Sequence, residues 1–177
     1  MVRTDGDEDE TEAEAEAGMW LDDGQQRAWR GVVQLFRKLP AAMDSDLQRT
    51  AGLTLFEFEV LAVLSESDRR TLQMSELAER TSSSLSRLSH VVSRSESRGW
   101  VTRQICPNDG RATQAVLTAS GLAKVAEAAP SHVRTVRELV VDPITPAQLR
   151  QLGSAGVKIG QRIEEWNAAR AANAISH

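Results

Sequence analysis

The sequence has no tyrosine, only three phenylalanines and a single cysteine among its 177 residues. With aromatic strand formers sparse, and an apolar content drawn mostly from Ala, Val and Leu, the chain favours helices over an extensive sheet. One cysteine, Cys106, excludes an intramolecular disulfide and a cysteine-based metal cluster. The three histidines (His90, His132, His177) are widely separated, and no spacing of His, Cys, Asp and Glu resembles a metal site. There is no glycine-rich phosphate loop and no nucleophile motif, so neither a metal, a cofactor nor an enzymatic activity is expected. No apolar run approaches the roughly 18 residues of a membrane span. The N-terminus is acidic and lacks the apolar segment of a secretory signal, which leads to the expectation of a soluble cytoplasmic protein.

Hydrophobic residues make up 41% and charged residues 26% of the chain, the ordinary globular range. The net charge of −4 argues at first against a polyanionic partner, but the acids are unevenly placed. Residues 1–17 hold eight acids and one base. Removing these from the totals of 25 and 21 leaves 17 acidic and 20 basic side chains in 18–177, a net charge of +3. Within 80–111, six arginines (80, 87, 94, 98, 103, 111) face only Glu96 and Asp109. A local basic face on a near-neutral body is the footprint of nucleic-acid binding.

Along the chain, 1–17 reads as a disordered acidic tail because it has almost nothing to bury. In 18–52, Trp29, Val32, Val33, Phe36, Leu39 and Met43 fit one face of a long helix, in which Pro40 predicts a kink or local break. Thr54 precedes Glu57 by three residues in a capping box that opens a helix through Phe58, Leu61 and Leu64, with Leu53 and Phe58 as its hydrophobic staple. An extended piece at 71–73 leads to a brief helix, 75–80, capped by Ser75. A turn at Thr81–Ser83 leads to a second helix, 83–98, closed by Gly99. Residues 100–106 and 112–117 read as two strands around a Pro-Asn-Asp-Gly tip. Thr118 caps a further helix in which Pro130 predicts a bend, and Thr145–Pro146 opens the last helix. The last helix carries a stripe of Leu149, Leu152, Gly156, Ile159, Ile163 and Trp166. Gly153, Gly156 and Gly160 there either permit close helix approach or weaken the helix.

Two short helices joined by a tight turn and followed by a hairpin describe a winged helix-turn-helix. The expected class is mainly α with a small β-wing. A lobe at 53–118 is flanked by an N-terminal dimerisation helix region (18–52) and C-terminal dimerisation helices (119–170), before a short tail at 171–177. Placing residues of 83–98 at about 100° steps puts Leu85, Leu88, Val91, Val92 and Ser95 on one side. Ser83, Ser86, Arg87, His90, Arg94 and Ser97 fall on the other. That outward face has no acid and no large apolar residue, and its guanidinium, imidazole and hydroxyl groups suit phosphates and base edges. Arg111 can project from the wing into a minor groove. Asp109 is expected to pair with Arg103 or Arg111 and fix the shape of the wing.

Asp109-Gly110-Arg111, five further residues and Leu117-Thr118 resemble the Asp-x-Arg-x5-Leu-Thr signature of the MarR family of bacterial transcriptional regulators. Met74–Ala78, Ser84–Leu88 and Arg98–Val101 follow in the same order, and the resemblance spans about residues 20–170. It implies a homodimer with interleaved terminal helices, two winged motifs on a pseudo-palindromic double-stranded operator, and repression relieved by a small, often phenolic, ligand. By resemblance, Ser84, Ser86, Arg87 and Arg94 belong to the recognition helix, and Asp109 and Arg111 to the wing. Together with Ser83, His90 and Arg103 they form the candidate DNA-binding set. Ser95 and Ser97 depart from the family, which usually has an apolar residue before the acid that Glu96 matches and often a basic one after it; Ser95, on the buried side, is expected to weaken local packing.

Trp29, Phe36, Phe56 and His132 are candidates for a ligand pocket, although aromatics at helical spacing also serve as core. Cys106 lies in a wing strand, and nothing in the sequence establishes the lowered pKa of a redox sensor. The competing reading of the whole chain is a winged-helix protein-interaction module with no DNA target, against which the acid-free face argues.

Overall fold

The computed structural model describes residues 20–106 and 109–175, and within these the side chains of Cys106, Asp109, Arg111 and Ile175 are not described. The acidic segment 1–17, the tip residues 107–108 and His177 fall outside them. The elements are α1 (Asp23–Ala51), α2 (Leu55–Glu66), β1 (Thr71–Gln73), α3 (Met74–Arg80), α4 (Leu85–Ser97), β2 (Val101–Cys106), β3 (Asp109–Leu117), α5 (Ala119–Val136) and α6 (Pro146–Ile175). A 3₁₀ turn, Asp68–Arg70, precedes β1, and a π-helical turn, Arg137–Val141, follows α5. The winged helix-turn-helix is thus α3, α4 and the β2–β3 hairpin. The short piece at 71–73 completes a three-stranded antiparallel sheet in the order β1-β3-β2, with Leu72 opposite Ala115.

Two compact units divide the chain inside α1, the first ending at Ala42 and the second beginning at Met43. The helix runs through Pro40 without interruption, so the expected local break is absent. α5 likewise runs through Pro130. The last turns of α1 belong to the second unit because Leu47 and Ala51 are buried in its core. They are also tied to α5 by polar contacts. Asp46 accepts hydroxyl hydrogen bonds from Thr135 (2.7 Å) and Ser131 (3.3 Å) and pairs with Arg49. The Thr135 hydroxyl, more than Arg49, holds the Asp46 carboxyl below its usual pKa against the opposing effect of desolvation.

The core is built on α2, which packs against α3, α4, α5 and the sheet. Its N-terminus carries the full capping box, in which Thr54 Oγ1 accepts from Glu57 N (3.1 Å) and Glu57 Oε2 accepts from Thr54 N (2.8 Å). Leu53, Val60, Leu61, Leu64, Leu77, Leu88, Val92, Val101 and Ala115 are fully buried around it. Each large apolar side chain removed from water contributes roughly 1.5–3 kcal/mol.

Local chemistry sets the boundaries. α3 begins at Met74 after Gln73, one residue before the expected Ser75 cap, because β1 hands the chain directly into the helix. Ser84 caps α4, accepting from Arg87 N at 3.3 Å, so Ser83 lies in the preceding turn with its hydroxyl 3.1 Å from that of Thr81. Gly99 closes α4 at φ +75°, a conformation that costs an L residue about 1–2 kcal/mol. Thr118 caps α5 and donates to the carbonyl of Gly99 (2.7 Å), which fixes the base of the wing. α6 is exposed along almost its whole length, and an added Cβ on Gly153, Gly156 or Gly160 would meet nothing.

α4 buries Leu88, Val91, Val92 and Ser95, as the angular placement expects. Leu85 departs from it: the side chain is 54% exposed, because α4 starts there and its first turn overhangs the core. Ser95 is wholly buried and its Oγ meets no hydrogen-bond partner among the described residues. A buried hydroxyl without a partner costs about 1–3 kcal/mol of desolvation. Ser95→Ala is therefore expected to raise unfolding stability by about 1 kcal/mol. Chemical denaturation checks this, and a destabilised variant would show that the hydroxyl is satisfied.

Candidate nucleic-acid interface

With α4 seated on Leu88, Val91, Val92 and Ser95, the opposite strip is Ser86, His90, Ser93 and Ser97, all exposed. Ser93 belongs here although the sequence reading did not single it out; its position at about 100° per residue carried the signal. The Ser97 hydroxyl is directed back to the carbonyl of Arg94 (2.8 Å). The strip carries imidazole and hydroxyl groups and no acid.

The two arginines of the expected face lie on one flank of this strip, towards α2. The Arg87 guanidinium stacks 4.3 Å from the centre of the Phe56 ring. Nearby, burial pushes the Glu59 carboxyl above its usual pKa while Arg87 pulls it back. Arg94 Nε lies 3.4 Å from Glu57 Oε1, and both arginine side chains are exposed at their outer edges. Stacking and pairing hold the stems against α2 and leave guanidinium edges available to a ligand.

The other flank is closed by the hairpin. Arg103 of β2 donates from Nη2 to the Ser89 carbonyl (2.7 Å) and Oγ (3.2 Å). Its Nη1 is 3.7 Å from Glu96 Oε2, and its backbone N–H donates to Glu96 Oε1 (3.1 Å). Arg103, an expected partner of Asp109, is therefore engaged by α4, which locks the hairpin to the helix. The side chains of Asp109 and Arg111 lie outside the described residues, though both residues begin β3. Between α3, α4 and the hairpin is a cavity of about 410 Å³, lined among others by Met74, Leu85, Ser89, Arg103 and Thr113. Arg103 Nε is buried beside it with no hydrogen-bond partner among the described residues.

A family model described as MarR family matches residues 51–112, from the end of α1 to the start of β3. The structure is similar to that of Sco3205, a MarR family transcriptional regulator from Streptomyces coelicolor solved in complex with DNA. The two chains are 39% identical with a TM-score of 0.79, over 81% of this chain and 94% of that one. AbsC, a MarR family transcriptional regulator from the same organism, is also 39% identical, with a TM-score of 0.78 over 82% and 98% of the two chains. The chain belongs to the MarR family of transcriptional regulators. A MarR variant from E. coli in complex with operator DNA, 24% identical with a TM-score of 0.66 over 73% and 91%, shares the fold. No curated protein matches the chain.

The family's wing signature begins with β3 at Asp109 and ends at the Thr118 cap of α5. The four residues considered for a ligand pocket are not gathered by the second unit. Trp29 and Phe36 are exposed on α1 within the first unit. Phe56 faces Arg87, whereas His132 stacks on Phe58 with ring centres 4.5 Å apart. Two residues along a helix is about 200°, so Phe56 and Phe58 serve opposite sides of α2. Among the described residues, no group of three His, Cys, Asp or Glu is placed to hold a metal ion, and no helix is long and apolar enough to cross a membrane.

His132 Nδ1 is buried without a hydrogen-bond partner among the described residues, and desolvation lowers the imidazole pKa from its ordinary 6.5. A folded-state pKa below the unfolded value means the native state resists the proton, so stability is complete above about pH 6.5 and falls as the pH drops through the folded pKa. His132→Leu is expected to flatten the fall in melting temperature between pH 7 and 5. An unchanged pH profile would remove His132 as its source.

Proposed function

We propose that this MarR-family chain is a sequence-specific DNA-binding repressor that acts as a homodimer on a pseudo-palindromic operator in the cytoplasm and has no catalytic activity. The observation that carries the reading is the acid-free outward strip of α4, flanked by Arg87 and Arg94 and braced by a hairpin locked through Arg103. α4 enters the major groove. Ser84 and the first turn meet phosphate, Ser86 and His90 reach base edges, and Arg87 and Arg94 engage backbone or guanine. Arg111, at the head of β3, enters the adjacent minor groove. That Sco3205, 39% identical to this chain, was solved in complex with DNA supports DNA as the partner.

Dimerisation rests on exposed apolar surface. Leu152, Val157, Ile159, Ile163 and Trp166 of α6 are exposed in the protomer, as are Trp29, Leu35 and Phe36 of α1. A soluble chain covers such stripes, and the family reading makes a second copy the cover. A phenolic effector is proposed to modulate the complex. The cavity whose lining includes both the cation of Arg103 and the apolar Leu85 supports this better than Trp29, Phe36, Phe56 and His132 do.

Mobility shift with the DNA upstream of the chain's own gene tests the reading. A discrete complex that survives non-specific competitor is expected, and its absence on that DNA and on a selected library would refute it. Arg87→Ala and Arg111→Ala should each weaken the complex and make its salt dependence shallower by about one unit per lost phosphate contact. Parental affinity in both variants would overturn the assigned surface. Sedimentation at micromolar concentration should show a dimer.

A further inference from the structure

Glu57 is the most deeply buried acid among the described residues, with a side chain only 3% exposed, yet its two carboxylate oxygens face different ways. Oε2 accepts from the backbone N–H and hydroxyl of Thr54 (2.8 and 3.0 Å), completing the α2 cap. Oε1 faces α4, 3.4 Å from Arg94 Nε and 3.9 Å from Arg98 Nη1. Arg98 also donates to the Gly52 carbonyl (3.3 Å) and lies over the Trp100 ring (4.9 Å), so it is committed to structure. Arg94 has no second partner among the described residues, and its side chain is 57% exposed.

Helix capping requires only one carboxylate oxygen. Pairing through Nε engages the inner edge of the Arg94 guanidinium and leaves the two terminal nitrogens on its outer edge for another acceptor. We infer that Glu57 is a positioning residue for DNA recognition, holding Arg94 by its inner edge so that the outer edge is ordered before DNA arrives. The inference rests on the proposed interface, which places Arg94 against DNA. Glu57 reaches no DNA itself. It lowers the cost of binding by fixing a long side chain that otherwise loses its rotamer freedom on association. Because the same carboxylate caps α2, the position of Arg94 is referenced to the start of the core helix rather than to α4 alone.

Glu57→Gln keeps an amide oxygen for the cap, which Gln also serves, and removes the charge that holds Arg94. The variant is expected to keep the parental melting curve and to bind operator about three- to tenfold more weakly at fixed salt. Its salt slope should be unchanged, since the Arg94 charge remains, whereas Arg94→Ala should lower both affinity and slope. In the double variant, Glu57→Gln should add nothing to the loss from Arg94→Ala, because its effect passes through that side chain. Arg94→Lys leaves the cap untouched and keeps the charge without the two-edged guanidinium, so it should lose affinity and keep the slope. This variant serves as the test if Glu57→Gln unfolds.

Parental or tighter binding by Glu57→Gln, additive losses in the double variant, or parental binding by Arg94→Lys would each overturn the positioning role. Parental affinity and slope in Arg94→Ala would instead show that Arg94 is not at the interface, and the inference would fall with that reading.

Discussion

Burial of Leu88, Val91 and Val92 of α4 in the core built on α2 is the constraint on which the rest of the site depends. A helix seated by three apolar residues cannot rotate about its axis without exposing them, at roughly 1.5–3 kcal/mol each. That seating decides which groups face outwards, and it does so with side chains that never approach a ligand. The capping box at Thr54 and Glu57 fixes where α2 starts, and the φ of Gly99 fixes where α4 ends, so the helix is held in both rotation and length. Ser95 is the weak member of the seat, a hydroxyl where an apolar group would pack.

The arginines divide into anchors and presenters. Arg98 and Arg103 are tied by carbonyls, carboxylates and a ring, and they brace α4 from its two sides. Arg87 and Arg94 are held along their inner surfaces, Arg87 by the Phe56 ring beside Glu59 and Arg94 by Glu57, and keep an outer edge. All four have the same charge in the sequence, and counting them as one basic patch overstates what is available to DNA. The patch is basic largely because the scaffold itself is built with guanidinium groups, which tolerate partial burial by forking onto several acceptors.

The second unit also shows how the flanking helices are joined to the reader. Asp46 near the end of α1 gathers hydroxyls from two turns of α5, and Asp44 accepts from the first N–H of α2 at 2.7 Å. The end of α1 is thus hydrogen-bonded both to α5 and to the start of α2, the helix that carries the residues holding Arg87 and Arg94. α6 contributes little to this unit's core and keeps its apolar side chains exposed, which is the expected state of a helix whose partner lies on another chain.

Much of this was legible in the sequence because it depends on local chemistry. The capping box of α2, the Thr118 cap, the Gly99 terminus, the hairpin and the buried side of α4 all follow from short-range patterns that the backbone obeys almost regardless of context. Where short-range rules were over-extended they misled. Leu85 has the right angle for burial but lies beyond the end of the core. Glu57 was read as a cap, and its second oxygen was invisible because Arg94 is 37 residues away in the chain. For the same reason the contact of Arg103 with Glu96 and the separate partners of Phe56 and His132 were not legible in the sequence. By itself the sequence determined the order of the elements, most of their caps and the family resemblance, since these are encoded in neighbouring residues. Only the tertiary structure decided which arginines are anchored and which are presented, because that depends on carboxylates, rings and carbonyls brought near by packing.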